Sequence, residues 1–195
     1  MEITVFRALI IAVVAADGCL GQITQRGKCP FVPTKPDFDV SFYTGRWYEQ
    51  EKFPAAFEAN QVCISADYYL IPTGGVRVIN RGFNVVQNRD VTISGDAVQS
   101  PSQPGKLGVR FFPGQPRQPY NILDTDYTTY SVVFSCQEST RNGYPSNQQF
   151  LWILTRQPWG ISPQLRHKLL AKVERFGINT SYLTRTQQQN CSYGN

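Results

Sequence analysis

The sequence predicts an all-β domain: eight short strands followed by one amphipathic helix. Two observations carry this. Between Trp47 and Arg156, runs rich in β-branched and aromatic residues alternate with turn clusters, and only one later stretch has helical periodicity. A third observation concerns one end of the domain. Gly45-Arg46-Trp47-Tyr48 sets a glycine beside a tryptophan, Thr125-Asp126-Tyr127 marks a later turn, and Arg156 follows Leu154-Thr155. A glycine lets a large ring lie against bare backbone. An arginine near the end of an apolar strand is a natural cap for that ring, through cation–π stacking and hydrogen bonds to carbonyls.

The elements follow in order. Residues 5–16 form an apolar run too short to cross a bilayer comfortably, with small residues after it, which is the layout of a secretory leader. Cleavage is expected after Gly21, with Ala16 and Gly18 as alternatives, so residues 1–21 read as signal peptide and 22–195 as one domain. Strands are expected at 47–53, 63–71, 76–83, 91–98, 106–112, 120–124, 129–136 and 149–155. Pro72-Thr73-Gly74-Gly75, Pro101-Ser102-Gln103-Pro104-Gly105 and Pro113-Gly114-Gln115-Pro116 break them. Such spacing suits a barrel or a sandwich. Ser162 suits an N-cap, Pro163 a first helical residue and Gly177 a stop. Leu165, Leu169, Leu170, Val173 and Phe176 then share one helical face, opposite Arg166, Lys168, Lys172 and Glu174.

Several function classes are disfavoured. The net charge is +5, but the basic residues are scattered and no basic stripe is interleaved with aromatics, so nucleic acid is not an expected partner. Beyond the leader, no stretch is long and apolar enough for a membrane span. There is no Cys-x-x-Cys and one histidine, His167, on the polar side of the helix; neither a metal site nor a Ser-His-acid set is expected. Cys19 leaves with the leader, and Cys29, Cys63, Cys136 and Cys191 remain. An even set in a secreted chain reads as two disulfides, with three pairings open. Asn179-Thr180-Ser181 is a glycosylation acceptor in the polar stretch after the helix.

Taken together and in order, the Gly45–Trp47, Thr125-Asp126-Tyr127 and Arg156 pieces resemble the three signature regions of the lipocalins, secreted barrels that carry small hydrophobic molecules. Gly27-Lys28-Cys29-Pro30, Phe38-Asp39-Val40, Tyr43-Thr44-Gly45-Arg46-Trp47-Tyr48-Glu49, Glu51-Lys52-Phe53-Pro54 and Tyr120-Asn121-Ile122-Leu123 are similar to the apolipoprotein D group, which includes the insect bilin-binding proteins. The chain departs from that pattern at Asn121, where a tryptophan is usual, and lacks a second cysteine soon after Cys136.

The resemblance implies an eight-stranded antiparallel up-and-down barrel with the helix packed outside. It implies the pairings Cys29–Cys136 and Cys63–Cys191. Trp47 should plug the barrel floor with Arg156 across it, and Asp126 should satisfy loop amides. With Tyr68 pointing inward, strand alternation places Ile64, Ala66 and Leu70 in the cup as well. Val76, Val78 and Asn80 follow, then Leu107, Val109 and Phe111, then Asn121 and Leu123, then Trp152 and Leu154. The implied function is a secreted carrier, without enzymatic activity, of a lipid, sterol or bilin-like tetrapyrrole. No cofactor is required, although a bilin chromophore belongs to the class. Asn121 in place of a wall tryptophan would favour a bulkier, more polar guest. The alternative is an extracellular interaction protein whose rim loops, with Phe57 and Phe112, contact a receptor or a lipoprotein particle.

Overall fold

Alternation and turn chemistry produce the expected strands. In the computed structural model, which describes residues 22–193 except residue 73, they are β2 (Gly45–Lys52), β3 (Gln61–Leu70), β4 (Val76–Asn84), β5 (Arg89–Gln99), β6 (Lys106–Arg110), β7 (Gln118–Thr125), β8 (Tyr130–Arg141) and β9 (Tyr144–Thr155). The expected leader, its cleavage point and Cys19 lie outside the described residues. Each strand pairs antiparallel with the next, and β9 returns to β2, so the sheet closes into an up-and-down barrel with no open edge in this circuit. Further short elements were not expected. β1 (Ile23–Arg26) adds to β9, β10 (Thr184–Arg185) adds to β2, and the four-residue α1 (Val40–Tyr43) starts at Asp39, whose carboxylate accepts from Ser41 N–H.

Two hydrophobic cores result. The inner one fills the lower barrel with Tyr43, Trp47, Tyr68, Val78, Leu107, Ile122 and their neighbours. The outer one lies between the sheet and α2 (Pro163–Glu174), where Leu169 and Val173 meet Leu123, Val132, Phe134 and Leu151. Ser162 Oγ accepts from Leu165 N–H at 3.2 Å, Pro163 opens the helix, and Gly177 takes a φ of +77° just beyond it. Lys172 reaches Asp124 at 2.7 Å and Arg166 forks onto Glu51, fixing the helix against β7 and β2.

Three register shifts shape the walls. In β2 the shift falls between Glu49 and Glu51, in β3 between Val62 and Ser65, and in β7 between Ile122 and Asp124. At the second, Cys63 has a φ of +56° and its N–H turns to Gln187 O. The C-terminal segment thereby tucks in beside β2, with Thr186 N–H on Gln50 O. The two disulfides are Cys29–Cys136, with Cα atoms 5.9 Å apart, and Cys63–Cys191, at 5.5 Å.

Candidate ligand-binding cup

The floor is built from the residues singled out in the sequence. Trp47 is fully buried, its indole N–H donates to Tyr43 O at 2.9 Å, and the Arg156 guanidinium lies 3.8 Å above its ring centroid. Arg156 spends its other donors on carbonyls: Nε on Tyr127 at 2.8 Å, Nη1 on Arg46 at 2.9 Å and Nη2 on Phe42 at 3.2 Å. Gly45 sits at φ +89°, where a Cβ would press within 3.3 Å of Arg156 Nη1. Glycine is required there both by backbone and by space. Asp126 accepts from the N–H groups of Thr128, Thr129 and Tyr130, and these bonds, against the opposing effect of burial, hold its carboxyl below the usual range. Thr125 Oγ1 donates to Tyr130 O and accepts from Tyr127 N–H, completing the turn.

Above this floor the cup is aromatic on one side. Tyr43 lies 4.9 Å from Trp47 and 5.1 Å from Tyr68; Tyr120 then bridges Tyr68 and Trp152 at 6.4 and 6.2 Å. Phe150 continues the series 5.8 Å from Trp152, and Phe57 ends it at the rim, 5.6 Å from Phe150. The Tyr68 and Tyr120 hydroxyls meet at 2.6 Å, and Tyr43 donates to Ser131 Oγ at 2.9 Å. Burial drives the Tyr68 and Tyr120 phenols well above their ordinary range and Tyr43 to about 12, so all three keep their protons at neutral pH. They are polar groups that bring no charge into the cup.

Of the nine residues expected to contact ligand, seven share the inner face. Tyr68, Val78, Val109 and Leu154 are buried in the inner core, and Phe111 and Trp152 pack against it, partly exposed. Asn80 stands opposite Ala66 and Ile93, half-buried on the same wall. The other two face outward. Leu123 packs under α2 in the outer core, and Asn121 stands opposite Phe134, which also belongs there. Tyr120 and Ile122 take the inward places instead. The reason is local: both faces of this strand carry apolar side chains, because α2 covers the outside, so alternation does not choose a register. The shift at Ile122/Asp124 then sends Leu123 and Asp124 both toward the helix. Leu70 also departs from expectation, being 52% exposed at the hairpin end although it pairs with buried Val76.

The cup wall carries a charged group that the sequence reading missed. The shift in β2 places Glu49 opposite Leu154 and Lys52 opposite Trp152, both inner-face residues. Lys52 Nζ lies 3.1 Å from Glu49 Oε1 and 3.0 Å from Glu58 Oε2, and Thr186 Oγ1 donates to Glu49 Oε1 at 2.5 Å. Burial first, and Glu58 second, push the Glu49 carboxyl up to about 8 against the pull of Lys52 and Thr186. Glu49 therefore holds its proton at neutral pH, and the working ion pair is Lys52 with Glu58. A carboxyl raised on folding binds more protons in the folded state, so stability falls as pH rises from about 4.5 to about 8. Glu49→Gln should flatten that slope, as read from urea midpoints at pH 5 and pH 8.5, both about the limits of the window. An unchanged slope would mean that Glu49 is ionised throughout.

The loops at the open end are β2–β3, β4–β5, β6–β7 and β8–β9, and there Phe57 is 57% exposed, Val86 72% and Phe112 55%. His167 is exposed on the outside of α2, away from the cup. Among the described residues no helix is long and apolar enough to cross a membrane.

Comparison with known proteins agrees with this architecture. A family model described as a lipocalin-like domain matches residues 38–188. Apolipoprotein D of Mus musculus is 41% identical over 172 residues, 88% of each chain. The bilin-binding protein of Pieris brassicae is 30% identical over 153 residues, 76% of each chain. Among solved structures, insecticyanin from the tobacco hornworm Manduca sexta aligns with a TM-score of 0.74 at 23% identity, over 86% of this chain and 89% of its own, which is a likeness of fold. A family model spanning most of the chain, a close relative over 88% of it and a barrel with the expected floor lead to one conclusion: the chain belongs to the lipocalin family.

Proposed function

We propose that the protein is a secreted carrier that holds a small hydrophobic molecule in the barrel cup. The observation that carries this reading is the inner face itself. A sealed aromatic floor, largely apolar walls broken by Lys52 and its carboxyl partners, and three uncharged phenol hydroxyls at depth form a site that buries an apolar body and orients a polar end. Trp152 and Phe111, both only partly buried, mark where that body would lie. The reading is of binding without chemistry: the four described cysteines are bridged and His167 is remote from the cup. No cofactor is required by it. A bilin remains within the ligand class, in line with the name of the Pieris brassicae relative, but Asn121 gives no reason to rank it above a lipid, because that side chain is outside the cup.

Titration with oleic acid and with biliverdin should quench tryptophan fluorescence, with dissociation constants between micromolar and nanomolar, about −8 to −12 kcal/mol. Trp152→Phe should lose most of the quench while biliverdin's own absorbance still reports binding. Failure of both ligands, and of sterols, to bind the intact protein would remove the carrier reading. The secreted location rests on the leader and on two disulfides, which persist in oxidising compartments. Asn179 is exposed and is the proposed glycan site. The mass of the protein from culture medium, before and after glycosidase, should show a chain starting at Gln22 that carries a removable glycan.

A second reading is favoured by the exposed Phe57 and Phe112 on rim loops: contact with a receptor or a lipoprotein particle. Co-flotation with lipoprotein particles should drop sharply in Phe57→Ser/Phe112→Ser, and equal flotation would discard it.

A further inference from the structure

A buried ammonium needs an anion, and the anion that Lys52 has is attached to a loop at the open end of the barrel. The Lys52 side chain is 10% exposed and Glu58 12%, on the face shared with Trp152 and Phe150. Glu58 belongs to the 53–60 segment that joins β2 to β3 across the open end, and its middle is a three-residue 3-10 turn, Ala56–Glu58, whose N-cap has no side-chain hydrogen bond. Three contacts hold the tip of that turn: Glu58 on Lys52, Phe57 on Phe150, and Gln61 Nε2 on Phe57 O at 2.9 Å. Phe57 and Glu58 are adjacent, so the ring that covers the cup wall and the carboxylate that neutralises Lys52 must move together.

We propose that Lys52 is the seat for a carboxylate carried by the ligand, and that Glu58 is the chain's own occupant of that seat, released together with Phe57 when an acidic amphiphile enters. The inference rests on the carrier reading and narrows it to ligands with a carboxylate, whether at the end of a fatty chain or on a tetrapyrrole. The physical argument is exchange. A ligand carboxylate that replaces Glu58 leaves Lys52 neutralised, and Glu58 moves into water, where it is well solvated. An alcohol or an ester of the same shape displaces Glu58 only by leaving a buried ammonium unpaired, which is strongly unfavourable. Selectivity then comes from what the wrong ligand leaves behind. Glu49, protonated beside Lys52, accepts a hydrogen bond from it and Thr186 without cancelling its charge.

Oleic acid and oleyl alcohol, followed by biliverdin and its dimethyl ester, provide the test. The wild-type protein should prefer each free acid by about tenfold or more over its uncharged partner, and Lys52→Met should reduce that preference to near unity. Hydrogen exchange supplies the readout that a merely structural ion pair would not move. Oleic acid should speed exchange across residues 53–60, and oleyl alcohol should not. Glu58→Gln should exchange fast in that segment before any ligand is added, and it keeps the test alive if Lys52→Met fails to fold. Preference for biliverdin over its ester without preference for oleic acid would assign the seat to a tetrapyrrole; the reverse would assign it to a fatty chain. Equal binding of acids and uncharged partners, or acid bound with 53–60 exchange unchanged, would overturn the latch while leaving the carrier reading standing. No binding of any of the four would remove both.

Discussion

Trp47→Ala is expected to lower stability by roughly 3–5 kcal/mol, the range for truncating a buried aromatic side chain. The whole ring is enclosed, and its loss would open a cavity between Tyr43, Tyr68 and the sheet while stranding Arg156 without its stacking partner. Arg156→Ala should also destabilise, through the three carbonyls of Arg46, Phe42 and Tyr127 that lose their donor. Neither residue reaches the upper cup, so both variants should keep the order of ligand preference of the wild type at a temperature where they remain folded. Thermal unfolding alongside a two-ligand titration checks this. A variant that kept its melting temperature but changed its ligand order would move the binding site to the floor.

Removing the Cys63–Cys191 bridge should cost up to about 5 kcal/mol, because it closes a loop of more than a hundred residues in the unfolded chain. The effect should exceed simple chain entropy in one respect. The bridge fastens the segment that supplies Thr186 to Glu49 and Gln188 to the carbonyls of Glu49 and Ile64. Once it is free, the carbonyls of β2 and β3 lose partners where these strands separate. Cys63→Ser/Cys191→Ser should therefore show a lower melting temperature and faster hydrogen exchange in 61–64 as well as in 184–191. Loss of stability with exchange confined to the tail would mean that the segment is only tethered.

The strands and helix were legible because their signals are local. Proline and glycine clusters separate β3 from β4, β5 from β6 and β6 from β7, and Ser162, Pro163 and Gly177 bracket α2 at the places where caps act. The floor was legible for a similar reason, since a glycine beside a tryptophan and a lone arginine have few other uses. Strand register is another matter. At the start of β4, buried Val76 and Val78 flank exposed Arg77, and the inward places of Val76, Val78 and Asn80 follow from that alternation. Along β7 the barrel and the helix each claim an apolar face, so Asn121 and Leu123 were set inward when Tyr120 and Ile122 belong there. In β2 the shift after Glu49 brings Lys52 rather than Glu51 to the cup wall, and no residue there announces it. Phe150 was missed as an inner-wall ring although the Phe150–Trp152–Leu154 alternation points to it.

The central claim is that ligand binds to the inner face of the barrel, and the most direct test is a matched pair of dissociation constants. Asn80→Trp puts a large ring into the cup, where Asn80 is half-buried opposite Ala66 and Ile93; Asn121→Trp puts the same ring on the outer face beside Phe134. With oleic acid and biliverdin as ligands, the first substitution should weaken binding at least about tenfold, and the second should leave it within about twofold of wild type, since only the first excludes volume from the site. Equal affinities for Asn80→Trp and the wild-type protein, or a loss confined to Asn121→Trp, would place the ligand outside the cup and contradict the account.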